Sequence, residues 1–284
     1  MEILEFYQNL PNVIDPIIFR VGFFSMRWYS LMYIIAFLVV YYLALWRLKR
    51  GELSDFSQDV DEKNGDFLSN KVLDLLTCIF FGIIVGGRLG YVFFYDLQYF
   101  LNHPVEIISP ISATGEFVGL YGMSFHGGII GFVSSLMFFA KKNRINFWKI
   151  ADFLVAIIPA GYFFGRIGNF LNHELYGRVT QVFFGMKFDE SGLLRHPSQL
   201  YEAFFEGWVL FFVLWKFRNY WKKFPGVLSG MYVCGYGIFR FFLEFFRKPD
   251  DQIGMIFHIL TMGQILSIGM IFFGILIIFF RVKK

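Results

Sequence analysis

Of 284 residues, 56% are hydrophobic and 17% charged, and the apolar residues arrive in long runs, which excludes a water-solvated core and makes a bilayer the solvent. The formal charge of +4 does not point to nucleic acid as a partner, because the basic residues flank the apolar runs as a topology signal does. Continuous runs also favour helices over a barrel, whose strands alternate apolar and polar residues.

A spanning helix needs roughly 20 mostly apolar residues, and about seven such stretches are predicted, near 28–46, 72–95, 125–140, 147–170, 201–217, 227–246 and 258–280. The expected fold class is therefore an all-α integral membrane protein, one transmembrane domain over 1–284 with small outer-face loop elements. The first 27 residues lack a basic n-region and a small-residue cleavage site, so no removable signal peptide is expected. The polar segment 51–66 is read as a flexible cytoplasmic connection. Outer loops are expected at about 96–124 and 171–200, the second with a short strand in VFFGMKF (182–188). Cys78 and Cys234 lie inside apolar spans and are read as small buried hydrophobes, not as a disulfide.

Lys and Arg set the orientation. Sixteen fall in one set of alternate loops and at the carboxyl end, seven in the other set, with none between Asp96 and Ser124. The positive-inside rule then puts the amino terminus outside and the carboxyl terminus in the cytoplasm.

Ionisable groups inside a bilayer are costly and mark function. Tyr29, Arg88, His126, Arg166, Asn169, Glu202, Arg240 and Glu244 all fall toward the outer ends of their spans, and Glu174 just beyond one. Arg88, in GGRLGY, either snorkels or pairs structurally, or binds a ligand. Arg166 has no acid one turn away, whereas Arg240 and Glu244 stand i, i+4, so a plain salt bridge rivals anion binding there. A guanidinium fork suits phosphate. His126 precedes glycines that let a backbone or headgroup approach. Gly82, Gly86 and Gly90, Gly127 and Gly131, and Gly161 and Gly165 recur every four residues, as close helix packing requires. Asp74 and Asp152 lie at inner ends, where solvation or capping accounts for them.

The segment GRIGNFLNHELYG (165–177) resembles the hallmark of the prolipoprotein diacylglyceryl transferases, and around it stand RWYSLMY (27–33), GGRLGYVFFYD (86–96), GMSFHGG (122–128), RHPSQLYE (195–202), GYGIFRFFLEFFRKPD (235–250) and MGQILS (262–267). These blocks run in family order from the first span to the last. One departure is His173, where the family pattern leads one to expect Gly; another is a short loop between Tyr176 and Arg195.

The resemblance implies transfer of the diacylglyceryl group of phosphatidylglycerol to the lipobox cysteine of a prolipoprotein signal peptide, with release of glycerol phosphate, in the bacterial cytoplasmic membrane facing the outer leaflet. It implies Arg166 and Arg240 on the phosphate, with His126, Tyr29, Asn169, Glu174, Tyr236 and Glu244 lining the site, and Arg88 and Glu202 are added as substrate-binding candidates. The partners would be phosphatidylglycerol, signal peptides and membrane lipid, with no metal or cofactor required. A thiol must lose its proton to become the nucleophile, and His126 is the best candidate to take it. An anion channel or a non-catalytic scaffold is the rival; polar groups confined to one depth argue against a conducting path.

Overall fold

The structure is a computed structural model that describes residues 2–22, 24–53, 65–109, 122–248, 255–256 and 260–283. Most of the expected 51–66 connection and positions 110–121 of the first outer loop lie outside these residues. The chain divides into two compact units, 1–44 with 151–284, and 45–150.

The first unit opens with α1 (Glu2–Val13), which sequence reasoning passed over because twelve residues with an internal Pro11 carry a weak helical signal. Tyr7 Oη and Gln8 Nε2 of α1 donate to the carbonyls of Phe184 (3.2 Å) and Phe183 (3.0 Å). An antiparallel hairpin of β1 (Ile17–Val21) and β2 (Phe24–Arg27) follows and feeds α2 (Trp28–Lys49), whose 22 residues are long and apolar enough to cross a membrane.

In the second unit, α3 (Gly65–Phe94) begins well before the expected 72 because the helix continues through the polar turn DFLSNK. Two short helical pieces, α4 (Leu97–Asn102) and a 3-10 turn (Pro104–Ile107), give way to α5 (Phe125–Lys142), capped by Ser124, whose Oγ accepts from Gly127 N at 3.2 Å. The glycine row expected from the sequence is the seam between α3 and α5. A Cβ on Gly82 would lie 2.7 Å from the Gly131 carbonyl oxygen, and one on Gly90 2.7 Å from Gly127 Cα. Backbone meets backbone here, as small residues at four-residue spacing allow. Cys78 Sγ lies 3.6 Å from the Ser135 carbonyl beside this seam.

The chain returns to the first unit through α6 (Phe147–Val155), bent by 43° from α7 (Ile158–Leu171) at a break marked by Pro159. A small hairpin, β3 (Met186–Lys187) with β4 (Leu194–Arg195), places a strand inside VFFGMKF as expected. Then a continuous helical run covers 198–217: α8 (Ser198–Glu202), a π-helical segment (Ala203–Val209) and α9 (Leu210–Phe217). Next come α10 (Val227–Leu243), the short β5 (Met255–Ile256) and β6 (Leu260–Thr261), and α11 (Met262–Val282). Asp152 accepts from the backbone of Gly226 (2.6 Å) and Ser229 (2.8 Å), capping α10 as the inner-end reading of that acid requires.

Among the described residues, α2, α3 and α11 are each long and apolar enough to span a membrane, and the bent α6–α7 pair makes a fourth. The outward surfaces fit a lipid environment: Phe80 and Phe81 of α3 and Phe272 and Phe273 of α11 are more than half exposed. Inside the first unit, Val155, Ala156, Leu210, Leu214 and Leu228 form an apolar core against which Tyr232 and Tyr236 pack.

Candidate active site

In the first unit, the carboxyl-terminal end of α7 carries Arg166 and Asn169, the α8–π run carries Glu202 and Glu206, and the end of α10 carries Tyr236, Arg240 and Glu244. Arg166 Nε lies 2.9 Å from Glu202 Oε2 and donates to Tyr162 Oη at 2.7 Å, while Nη1 donates to Asn169 Oδ1 at 3.3 Å. Arg166, which has no acid nearby in sequence, thus finds one 36 residues on, across a helix boundary.

Arg240 is held more loosely. Its Nη1 stands 3.5 Å from Glu202 Oε1 and 3.8 Å from Glu206 Oε1, and its Nη2 stands 3.4 Å from Glu244 Oε2. The local Arg240–Glu244 pair foreseen from the i, i+4 spacing exists, but Glu244 is one of three carboxylates around that guanidinium. Arg247 adds a third cation, 3.8 Å from Glu202 Oε1. Three arginines therefore face three carboxylates, and both Glu202 and Glu206 are 1% exposed.

A buried charge needs both a counter-charge and hydrogen bonds. Here the hydrogen bonds fall short. Arg240 Nη1, Glu202 Oε2, Glu206 Oε1 and Glu244 Oε2 are all buried without a hydrogen-bond partner among the described residues. Ion pairs at 3.4–3.8 Å hold net charge near zero while leaving donors and acceptors unspent. Such a centre is suited to exchanging one of its carboxylates for another anion.

Glu244 is fixed from the far side: Thr261 Oγ1 donates to its Oε1 at 3.2 Å, and a Cβ on Gly263 would fall 2.7 Å from that same oxygen. Glu244 therefore sits at the capped, positive end of α11, where the Thr261 and Gln264 capping box completes the first turn. Tyr236 packs edge-on against Tyr162, ring centroids 6.0 Å apart.

Of the other predicted residues, Tyr29 opens α2, its hydroxyl 3.0 Å from that of Tyr33, with its ring beside Gly168 on α7. Glu174 follows α7; its backbone N–H donates to the Asn169 carbonyl (2.9 Å), its carbonyl accepts from Gln199 Nε2 (2.7 Å), and its exposed carboxylate accepts from Asn172. His126 and Arg88 belong to the 45–150 unit. His126 is exposed in the first turn of α5. Arg88 donates to the backbone carbonyls of Ile107 (2.9 Å), Gly122 (3.3 Å) and Glu106 (2.6 Å) and lies 4.8 Å over the Phe100 ring.

Gly165 departs from the packing expectation. Gly161 meets Val40 as a packing glycine should, 2.9 Å from its would-be Cβ, but a Cβ on Gly165 would have no heavy atom within 4 Å. His173 adopts φ +57°, the left-handed region where glycine is at ease, which gives the expected family glycine a backbone reason.

Sequence reasoning missed Tyr162, Glu206 and, as a site residue, Arg247. The signals were present: Glu206 is a second acid in the 201–217 run, four residues after Glu202, and Tyr162 stands four before Arg166.

The fold and the site together define a helical membrane protein with a buried arginine and carboxylate centre. A family model of prolipoprotein diacylglyceryl transferases matches residues 16–280. A phosphatidylglycerol-prolipoprotein diacylglyceryl transferase of Chlorobaculum tepidum is 44% identical over 280 residues, 97% of this chain and 92% of the relative. Relatives carrying the same name in Desulfotalea psychrophila and Campylobacter lari are 42% and 40% identical, covering 97% and 99% of their own lengths. The chain belongs to the prolipoprotein diacylglyceryl transferase family.

Proposed function

We infer that this protein transfers the diacylglyceryl group of phosphatidylglycerol to the cysteine thiol of a prolipoprotein signal peptide. The observation that carries this reading is the centre around Arg166 and Arg240, where the paired but under-bonded Arg240 guanidinium suits a phosphate that arrives, reacts and leaves.

In the step, the thiolate sulfur attacks the glyceryl carbon that bears the phosphate, a carbon–sulfur bond forms, and the carbon–oxygen bond to phosphate breaks. Its electron pair departs with glycerol phosphate. The phosphate oxygens compete with Glu202 for Arg166 and with all three carboxylates for Arg240, and the 3.4–3.8 Å pairs yield first because they are the weakest bonded. Preorganised arginines then stabilise the charge that collects on the leaving oxygen. His126 is the base assigned to the thiol proton, since a neutral imidazole nitrogen can accept one. Tyr29, Asn169, Glu174, Tyr236 and Glu244 contribute to the walls, Glu202 is the carboxylate displaced, and Arg88 holds the outer segment around Ile107 in shape for the lipid.

The topology that goes with this reading is one domain of about seven spans in the bacterial cytoplasmic membrane, amino terminus outside, active centre toward the outer leaflet. The unequal Lys and Arg counts support it. Purified protein incubated with headgroup-labelled phosphatidylglycerol and a lipobox peptide is the test. Equal amounts of thioether peptide and glycerol phosphate are expected. Release of glycerol phosphate without thioether would mean a lipase, and anion flux without either product a channel.

A further inference from the structure

Tyr162 has no part in the step above, and Glu206 enters it only as one of the carboxylates around Arg240. Tyr162 stands one turn before Arg166 on α7. Its phenol oxygen accepts from Arg166 Nε at 2.7 Å and donates to Glu206 Oε2, and the guanidinium carbon lies 4.8 Å over its ring. Glu206 is wholly buried, and its second oxygen faces Arg240 Nη1 at 3.8 Å. One carboxylate therefore touches both arginines, one through a phenol and the other directly.

The backbone supports this placement. Glu206 lies within the π-helical turns of Ala203–Val209, a conformation that is rare over such a length and is kept where surrounding contacts favour it. Gly207 on those turns lies so close to α7 that an added Cβ would fall 2.9 Å from Phe163 Cα, which sets Glu206 beside Tyr162 one residue earlier. The arginine stem is long and has many rotamers to lose. Bonded at Nε by Tyr162 and at Nη1 by Asn169, the plane of the fork is fixed, and Nη2 is the nitrogen that these two hydrogen bonds leave for a ligand.

We propose that Tyr162 and Glu206 are positioning residues: Glu206 accepts the phenol hydrogen, which turns a Tyr162 lone pair onto Arg166 Nε and aims the Nη2 edge of Arg166 at the phosphate. This rests on the reading that Arg166 contacts the phosphate of phosphatidylglycerol. The bland alternative is that Tyr162 and Glu206 only satisfy each other inside the bundle, in which case their loss affects stability and not the turnover step.

A double-mutant cycle distinguishes the two. Wild type, Tyr162→Phe, Arg166→Lys and the double variant are compared in proteoliposomes of phosphatidylglycerol with a lipobox peptide, together with their melting temperatures. Tyr162→Phe keeps the ring and loses only the hydroxyl, so kcat is expected to fall about tenfold while KM for phosphatidylglycerol moves less than about twofold. In the Arg166→Lys background the same change is expected to cost less than about twofold, because lysine has no Nε to be held. Glu206→Gln run through the same cycle gives a second reading should Tyr162→Phe fold poorly. Wild-type kcat in folded Tyr162→Phe, or the same tenfold loss with lysine at 166, overturns the proposal while Arg166 keeps its role. Wild-type transfer by Arg166→Lys overturns the role of Arg166 and the proposal with it.

Discussion

The α3–α5 seam and the arginine centre are both interfaces between helices, and they are built on opposite terms. At the seam, side chains are absent so that backbones touch; a Cβ on Gly90 would lie 2.7 Å from Gly127 Cα. In the centre, large charged side chains fill the space, yet several stand 3.4–3.8 Å from their partners without hydrogen bonds. Glycine contact has one geometry and tolerates no addition. Loose ion pairs have several near-equal geometries, which is what a centre needs if an anionic substrate is to enter and leave. Rigidity and exchange are thus assigned to different parts of the chain by residue type.

Breaking the seam should have the largest effect. A side chain on Gly131 meets the Gly82 carbonyl before its own γ-carbon is placed, so relief requires the helices to part. Gly131→Leu is expected to cost more than about 3 kcal/mol, at or beyond the usual range for overpacking, and to abolish the folded peak in detergent chromatography. Gly165→Ala is the control, since its Cβ would have no neighbour within 4 Å; its melting temperature should stay level or rise slightly. Equal loss in both variants would remove the distinction between seam and open glycine.

Within the centre, Arg166→Lys keeps the charge and loses the fork. The expected loss of transition-state stabilisation is on the order of 3 kcal/mol, about a hundredfold in kcat, with the fold intact. A smaller and more diagnostic effect comes from the Arg240 and Glu244 pair. If Arg240 served only to neutralise Glu244, Arg240→Gln with Glu244→Gln would restore what either single change loses. Three carboxylates around Arg240 argue otherwise. Stability is expected to recover in the double variant and transfer to stay low; recovered transfer would take Arg240 off the phosphate.

What could be read in the sequence follows from how far apart the interacting residues lie. The glycine row was legible because its period is local, and so was the Arg240–Glu244 pair. Arg166 with Glu202 and Tyr162 with Glu206 were not, because those partners lie 36 and 44 residues apart and meet only once α7 packs against the α8–π run. The π-helical turns themselves leave no mark, since an apolar run such as AFFEGWV reads as ordinary helix. Gly165 shows the converse limit: period four marks a face, and only the fold tells what that face meets. His173 was flagged as a departure from a family pattern, and its φ of +57° supplies the physical content of that flag.

The smallest expected effect lies in segment 173–196, where two histidines and an aspartate have pKa values lowered by the fold. The His173 ring is desolvated beside Pro11 and Ile14, with Asp15 as its charged neighbour, and burial holds its pKa below the ordinary 6.5. Burial lowers His196 likewise, where its Nδ1 lies 3.2 Å from Tyr201 Oη and its ring 5.1 Å from that of Phe246. Asp189 is held below the usual carboxylate range first by the Ser191 hydroxyl, then by Arg195 at 3.0 Å. In each case the unfolded segment binds more protons than the folded one in the window between the two pKa values, so stability rises with pH through that window. The histidine contribution is fully present above about pH 6.5 and is lost as pH falls through their folded values; the Asp189 contribution goes only below about pH 4. Hydrogen-exchange protection factors across 173–196, taken relative to the intrinsic exchange rate at each pH, should therefore fall in two steps on acidification. Replacing His173 by Gly and His196 by Phe should remove the first step, and His173→Gly also relieves the left-handed backbone by about 1 kcal/mol. Asp189→Asn should remove the second step alone. If the first step survives in the double histidine variant, protons are entering elsewhere, and segment 173–196 is not what yields near neutral pH.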